Sequence, residues 1–140
     1  MAGLYIHVPF CVRKCGYCDF YSMPVAGDSP AITLYLDALE QELKMLPPGF
    51  SPHTVFVGGG TPTAMPAVAL ERFFRLLKQT LGGCAVSEWT CEVNPGTLTA
   101  EKVDLLLDAG VDRLSIGMQS FDPETLGFLG RIHTPEQSEQ

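Results

Sequence analysis

Short apolar runs rich in Val, Ile and aromatic residues alternate with amphipathic helical runs along the whole chain. That alternation restricts the fold more than any other feature. GLYIHV (Gly3–Val8) reads as a strand stopped by Pro9, TVFVG (Thr54–Gly58) as a second, EWTCEV (Glu88–Val93) as a third and RLSIGMQSF (Arg113–Phe121) as a fourth. Between them, Ala31–Leu46 carries Ile32, Leu34, Tyr35, Ala38, Leu39, Leu43 and Leu46 on one broad face, and Pro47-Pro48-Gly49 stops it. Ala67–Leu81 reads as a second helix ending at Gly82-Gly83. Glu101–Ala109 reads as a third, with Thr99 as N-cap and Gly110 just past its end. Asp122-Pro123-Glu124 opens a fourth, and the final RIHTPEQSEQ stops where that helix should continue. Strands and helices in this order make a parallel sheet with right-handed crossovers, so the expected class is α/β. A closed barrel of eight such units takes about 250 residues. The 140 residues here therefore predict a partial (β/α) barrel of about four strand–helix units, one incomplete domain over residues 1–140.

Composition narrows the function. Nine Lys and Arg stand against sixteen Asp and Glu, a net charge of −7, which argues against nucleic acid as a partner because phosphate binding needs clustered cations. MAGLYIHVPF lacks the charged start and long apolar run of an export signal, and no stretch approaches the ~20 apolar residues of a membrane span. Five cysteines without an export signal suit a reducing compartment, so a cytoplasmic chain without an integral membrane segment is expected.

In parallel α/β folds ligands gather at the carboxyl ends of the strands. Each unusual segment falls there: CVRKCGYC after the first strand, GGGTP after the second, EVNPG at the third and MQSF at the fourth. Cys11, Cys15 and Cys18 place three thiols in eight residues, which suits a soft metal centre. A structural zinc site wants a fourth Cys or His, and His7 is the nearby candidate; redox-active thiols are a further alternative. A cubane iron–sulfur cluster can be held by three cysteines with its fourth iron open to another ligand, and the Cys-x3-Cys-x2-Cys spacing with Tyr17 inside it favours that reading.

LYIHVPFCVRKCGYCDFYS, GGGTP, EVNPG, SIGMQSF and LGRIH, in that order from Leu4 to His133, resemble the radical S-adenosylmethionine family. Within it they resemble the branch of oxygen-independent coproporphyrinogen oxidase and the heme chaperone HemW. The resemblance implies that the chain is the N-terminal portion of a radical SAM core and that Cys11, Cys15 and Cys18 ligate a 4Fe-4S cluster. It further implies that S-adenosylmethionine chelates the open iron and is cleaved by one electron to methionine and a 5′-deoxyadenosyl radical. Tyr5 matches a position that touches this cofactor, and Tyr17 one near its adenine, while Phe20 is read as packing beneath the loop. Gly59, Gly60 and Thr61 would offer backbone to the methionyl amino group. Glu92 and Gln119, read as polar strand ends, would meet an amine or a ribose hydroxyl, and Arg131 would pair with the carboxylate. Cys84 and Cys91 fall outside the motif and are read as small buried apolar residues. His53 is read as a surface residue, and His133, like His7, is left without a role.

The oxidase branch carries a further cysteine two residues after the motif, where this chain reads Cys18-Asp19-Phe20, and a longer arm before it. Both departures resemble HemW and imply heme as the ligand of a longer form, an electron donor and a recipient hemoprotein. The oxidase reading instead implies a porphyrinogen substrate and radical oxidative decarboxylation. A third reading takes the chain as a fold fragment without activity of its own.

Overall fold

The computed structural model describes residues 2–139. Four long strands form one parallel sheet: β1 (Gly3–Val8), β4 (Thr54–Gly59), β5 (Glu88–Val93) and β6 (Arg113–Ile116), side by side in that order. Two short strands, β2 (Phe10–Cys11) and β3 (Met23–Pro24), pair parallel to each other between β1 and the first helix. The helices are α1 (Pro30–Lys44), α2 (Ala67–Leu81), α3 (Ala100–Ala109), α4 (Pro123–Leu129) and the short α5 (Pro135–Glu139). A parallel sheet whose neighbours are consecutive β/α units is the topology of an α/β barrel wall.

Strand alternation divides the sheet into two faces. Ile6, Val8, Val55, Val57, Trp89, Cys91 and Val93 point to the helices and are buried against Leu36, Leu39, Phe73, Phe74, Leu77 and Leu106. The opposite face carries Tyr5, His7, Phe56, Thr90, Glu92 and Ser115, and Tyr5 on it is 56% exposed.

Local chemistry explains the helix ends. Ser29 caps α1 by accepting from the Ala31 N–H, and Thr99 caps α3 by accepting from the Lys102 N–H. Asp122 caps α4 by accepting from the Thr125 N–H at 2.7 Å. Gly110 takes φ +97° after α3, a left-handed turn that a side chain would strain, and its N–H reaches the last carbonyls of the helix.

Three expectations are corrected. The buried stripe of α1 is Ile32, Leu36, Leu39 and Leu43, while Leu34 is 68% exposed and Ala38 also faces out. Residues two apart cannot share a helix face, so Ile32 and Leu34 were bound to separate. The last strand ends at Ile116 rather than Phe121, because the Gly117 N–H makes a final bond to Val93 and the chain then leaves the ladder. The final segment does not interrupt a fourth helix: α4 closes at Gly130, and α5 begins after a turn.

Candidate metal and cofactor site

The cysteine segment is a loop tied down at both ends. The Met23 N–H donates to the Pro9 carbonyl at 2.8 Å and the Val25 N–H to the Cys11 carbonyl at 2.9 Å, so residues 11–25 return to their starting point. A tight turn brings the Cys18 N–H to the Cys15 carbonyl at 3.1 Å. Cys11 is buried at the end of β2, with its Sγ 3.9 Å from Thr61 Oγ1, while Cys15 and Cys18 are half-buried. All three are free thiols.

They form one wall of a cavity of about 290 Å3 at the carboxyl ends of the strands. Gly59, Gly60, Thr61, Glu92, Gln119, Tyr17 and Arg131 line the same cavity, so ten of the eleven residues anticipated from sequence meet there. Tyr5 does not line it. Its ring lies on the open sheet face near Phe56, and its hydroxyl meets His7 Nδ1 at 3.0 Å.

The glycine segment runs close under the cysteine loop. The Gly60 N–H donates to Val8 at 2.8 Å and the Thr61 N–H to Phe10 at 2.6 Å. A Cβ on Gly60 would lie 2.5 Å from the Phe10 carbonyl oxygen, backbone that cannot rotate away. Gly60→Ala is therefore expected to lower stability by about 2 kcal/mol. Gly16→Ala, with nothing within 4 Å of the added methyl, should have no such effect in the same urea titration. Equal midpoints for the two variants would show that the close approach is not needed.

Glu92 is half-buried and accepts from the Gly59 N–H at 2.9 Å. Among the described residues its other oxygen has no protein donor and is free for a cationic or hydroxyl ligand. Gln119 is not a strand end. It sits in the loop after β6 with φ +66°, exposed at the cavity's edge. Arg131, which would pass for a surface residue outside the motif match, is half-buried and donates to the Gly117 carbonyl through Nη2. Its Nη1 lies 3.4 Å from both Cys15 Sγ and Tyr17 Oη, and among the described residues its Nε is buried without a partner. A guanidinium so placed brings positive charge to the Cys15 sulfur and to the cavity wall. Burial raises the Tyr17 phenol above its usual range, and the neighbouring Arg131 partly offsets this.

Sequence reasoning missed several contributors. Asn94, Thr97 and Ser115 also line the cavity, and the NPG turn after a strand was the available signal for the first two. Phe20 does not pack beneath the loop: it is 67% exposed at the cavity mouth. His133 is buried, its Nε2–H donates to the Met118 carbonyl at 3.0 Å, and burial lowers its pKa, so it anchors the Gly117–Gln119 loop as a neutral ring. Cys91 is 0% exposed on the helix face, and half-buried Cys84 lies against Phe50, so neither approaches the cavity.

The donor set discriminates between metal centres. His7 is not a free fourth ligand, because Nδ1 meets the Tyr5 hydroxyl and Nε2 donates to the Tyr21 carbonyl at 2.7 Å. Among the described residues no three His, Cys, Asp or Glu side chains gather closely enough to hold a single metal ion. A cluster asks for a different arrangement, since each thiolate binds its own iron and the sulfurs stand apart around the cube. Three free thiols on one wall, sharing a cavity with a glycine-lined backbone and the Arg131 guanidinium, fit a cluster with a polar co-ligand. They do not fit closed zinc coordination.

Comparison with known proteins identifies the family. The family model described as the radical SAM superfamily matches residues 5–140. The heme chaperone HemW of Escherichia coli is 39% identical over 141 residues, covering 99% of this chain and 37% of that protein. An oxygen-independent coproporphyrinogen III oxidase of Cereibacter sphaeroides is 33% identical, covering 99% of this chain and 31% of that protein. The structure of coproporphyrinogen III oxidase (HemN) from E. coli, described as a radical SAM enzyme, superposes with a TM-score of 0.86 at 31% identity. That superposition covers 98% of this chain and 32% of the solved one, so the chain spans about a third of the length of the relatives it matches. None of the described helices is long and apolar enough to cross a membrane. With its motifs on one rim and a family match running from residue 5 to residue 140, the chain belongs to the radical SAM superfamily.

Proposed function

We infer that the chain binds one 4Fe-4S cluster through Cys11, Cys15 and Cys18, with S-adenosylmethionine beside it, and that a longer form is a HemW-like heme chaperone. The observation that carries the cofactor reading is the convergence on one cavity of three free thiols and polar groups from all four strand ends. When bound, the pair supplies one-electron cleavage of the sulfonium. The residues of this chain orient and shield it. Glu92 and the Gly59–Thr61 backbone receive the methionyl amino group, and Arg131 meets the carboxylate through Nη1, beside Cys15 and Tyr17. Gln119 faces the ribose from the cavity's edge, Tyr17 flanks the adenine, and Tyr5, outside the cavity, holds the His7 ring that packs against Gly59.

Adding S-adenosylmethionine to the reduced, cluster-loaded chain should change the cluster's EPR spectrum, because ligation by the amine and carboxylate alters the open iron. A spectrum unmoved at saturating cofactor removes direct ligation.

The chaperone reading is supported by Asp19-Phe20 in place of a Cys-x-Cys extension and by 39% identity to a HemW against 33% to an oxidase. The oxidase reading keeps a specific support of its own in the TM-score of 0.86 to a coproporphyrinogen oxidase. In either case an electron donor is required, and the chaperone reading adds a recipient hemoprotein.

A further inference from the structure

The sheet opens where the candidate site begins. β4 and β5 pair from Thr54 and Glu88 as far as Val57 and Cys91, and no further. Yet β4 stays beside β1 up to Gly59, and β5 stays beside β6 up to Val93. Beyond Cys91 the Gly58–Thr63 and Glu92–Thr97 segments face one another as two lips with no backbone ladder between them. Side chains join them instead. The Glu92 carboxylate crosses to the Gly59 N–H. The buried Thr63 and Thr97 hydroxyls meet at 2.6 Å. Lys102 donates through Nζ to the Thr63 carbonyl at 2.6 Å and to the Thr97 carbonyl at 3.2 Å.

The position of this lysine is unfavourable for a cation. It is the third residue of α3, where the helix dipole repels positive charge. It is half-buried, and burial pulls its ammonium below the ordinary lysine range, with Glu101 partly offsetting the effect. Two backbone carbonyls, one from each lip, are what such a group gains in return.

We propose that Lys102 is a positioning residue for S-adenosylmethionine, fixing the distance between the glycine lip and the Glu92–Thr97 lip so that both grip one molecule. This rests on the cofactor reading above. Lys102 does not line the cavity, so it acts through the lips and not on the ligand. Without it, two carbonyls behind the site lose their shared donor, and the Gly59–Glu92 and Thr63–Thr97 side-chain bonds must hold the gap without that charged brace. Small errors in such spacing are expensive for a ligand gripped from both sides.

The test is calorimetric titration of the cluster-loaded chain with S-adenosylhomocysteine, which keeps the amino, carboxylate, ribose and adenine groups. Lys102→Met should bind it about tenfold more weakly than the unaltered chain, with iron per chain unchanged. Lys102→Gln, a milder change should the methionine variant fold poorly, should also weaken binding without loss of iron. Lys78→Met is the control, because Lys78 makes a comparable 2.6 Å bond to the Asp108 carbonyl away from the cavity. It should bind like the unaltered chain. Lysine variants at 102 that bind normally, or a Lys78→Met that weakens binding equally, overturn the proposal alone. An unaltered chain that holds the cluster but takes up no S-adenosylhomocysteine overturns it together with the cofactor reading.

Discussion

Cys15→Ala is expected to lose the whole cluster, leaving no stoichiometric iron or sulfide after anaerobic reconstitution and no brown charge-transfer absorption. Cys15 is the most informative of the three proposed ligands to remove. Cys11 is buried at the end of β2, so its loss could disturb folding, whereas Cys15 is half-buried in a loop that other bonds hold in place. With one thiolate gone, an iron loses its protein ligand, and neither His7 nor another cysteine can replace it. Cys91→Ala is the matched comparison. Its thiol is fully buried on the far face of β5, and burial pushes its pKa up to about 12, so at neutral pH it is a thiol and not a ligand. Removing it should cost about 1 kcal/mol of packing and leave iron and sulfide intact. Equal loss of iron from both variants would end the assignment.

A longer chain that continues this sequence is expected to bind heme and to leave coproporphyrinogen III unconverted under anaerobic conditions with reductant and S-adenosylmethionine. The expectation follows from the cavity mouth. Where the resembling oxidases have a cysteine, this chain presents Phe20, and Val12 and Tyr17 beside it are also exposed. Exposed apolar side chains of that kind suit the face of a macrocycle, and Arg13 and Lys14 on the same cavity wall suit its propionates. Heme binding is read from the Soret band, and turnover from porphyrin fluorescence after oxidation. Turnover at a catalytic rate would restore the oxidase reading. The 140 residues alone should show no turnover, because one open sheet face cannot exclude water and oxygen from radical chemistry.

Much of this arrangement can be read from sequence because it is local. Period-2 runs, the caps Thr99 and Asp122, and Gly110 past α3 each act within a few residues. The cysteine motif, the glycines and Glu92 were legible as a rim because parallel topology sends every strand's carboxyl end the same way. What escaped was set by distant partners. The loop after β6 leaves the ladder because Arg131 and His133 take the carbonyls of Gly117 and Met118, and no feature of SIGMQSF announces that. Lys102 reads as an ordinary surface residue of an amphipathic helix until its two carbonyl partners are known. The face of α1 has a simpler cause: Ile32 and Leu34 are both apolar, but about 200° of helix turn separates them and only Ile32 meets the sheet.

Among the described residues, the outer flanks of β1 and β6 have no further strand beside them in the four-stranded sheet. A parallel strand left open in this way presents unpaired N–H and C=O groups, a template for addition of another strand. Leu114 and Ile116 keep exposed apolar side chains on β6, which strengthens the template. The net charge of −7 acts against such pairing by mutual repulsion between chains. In solution the two tendencies oppose each other, and salt, by screening the charge, shifts the balance toward self-association. Colloidal behaviour of the isolated chain is thus governed by ionic strength, and preparations at low salt favour the monomer.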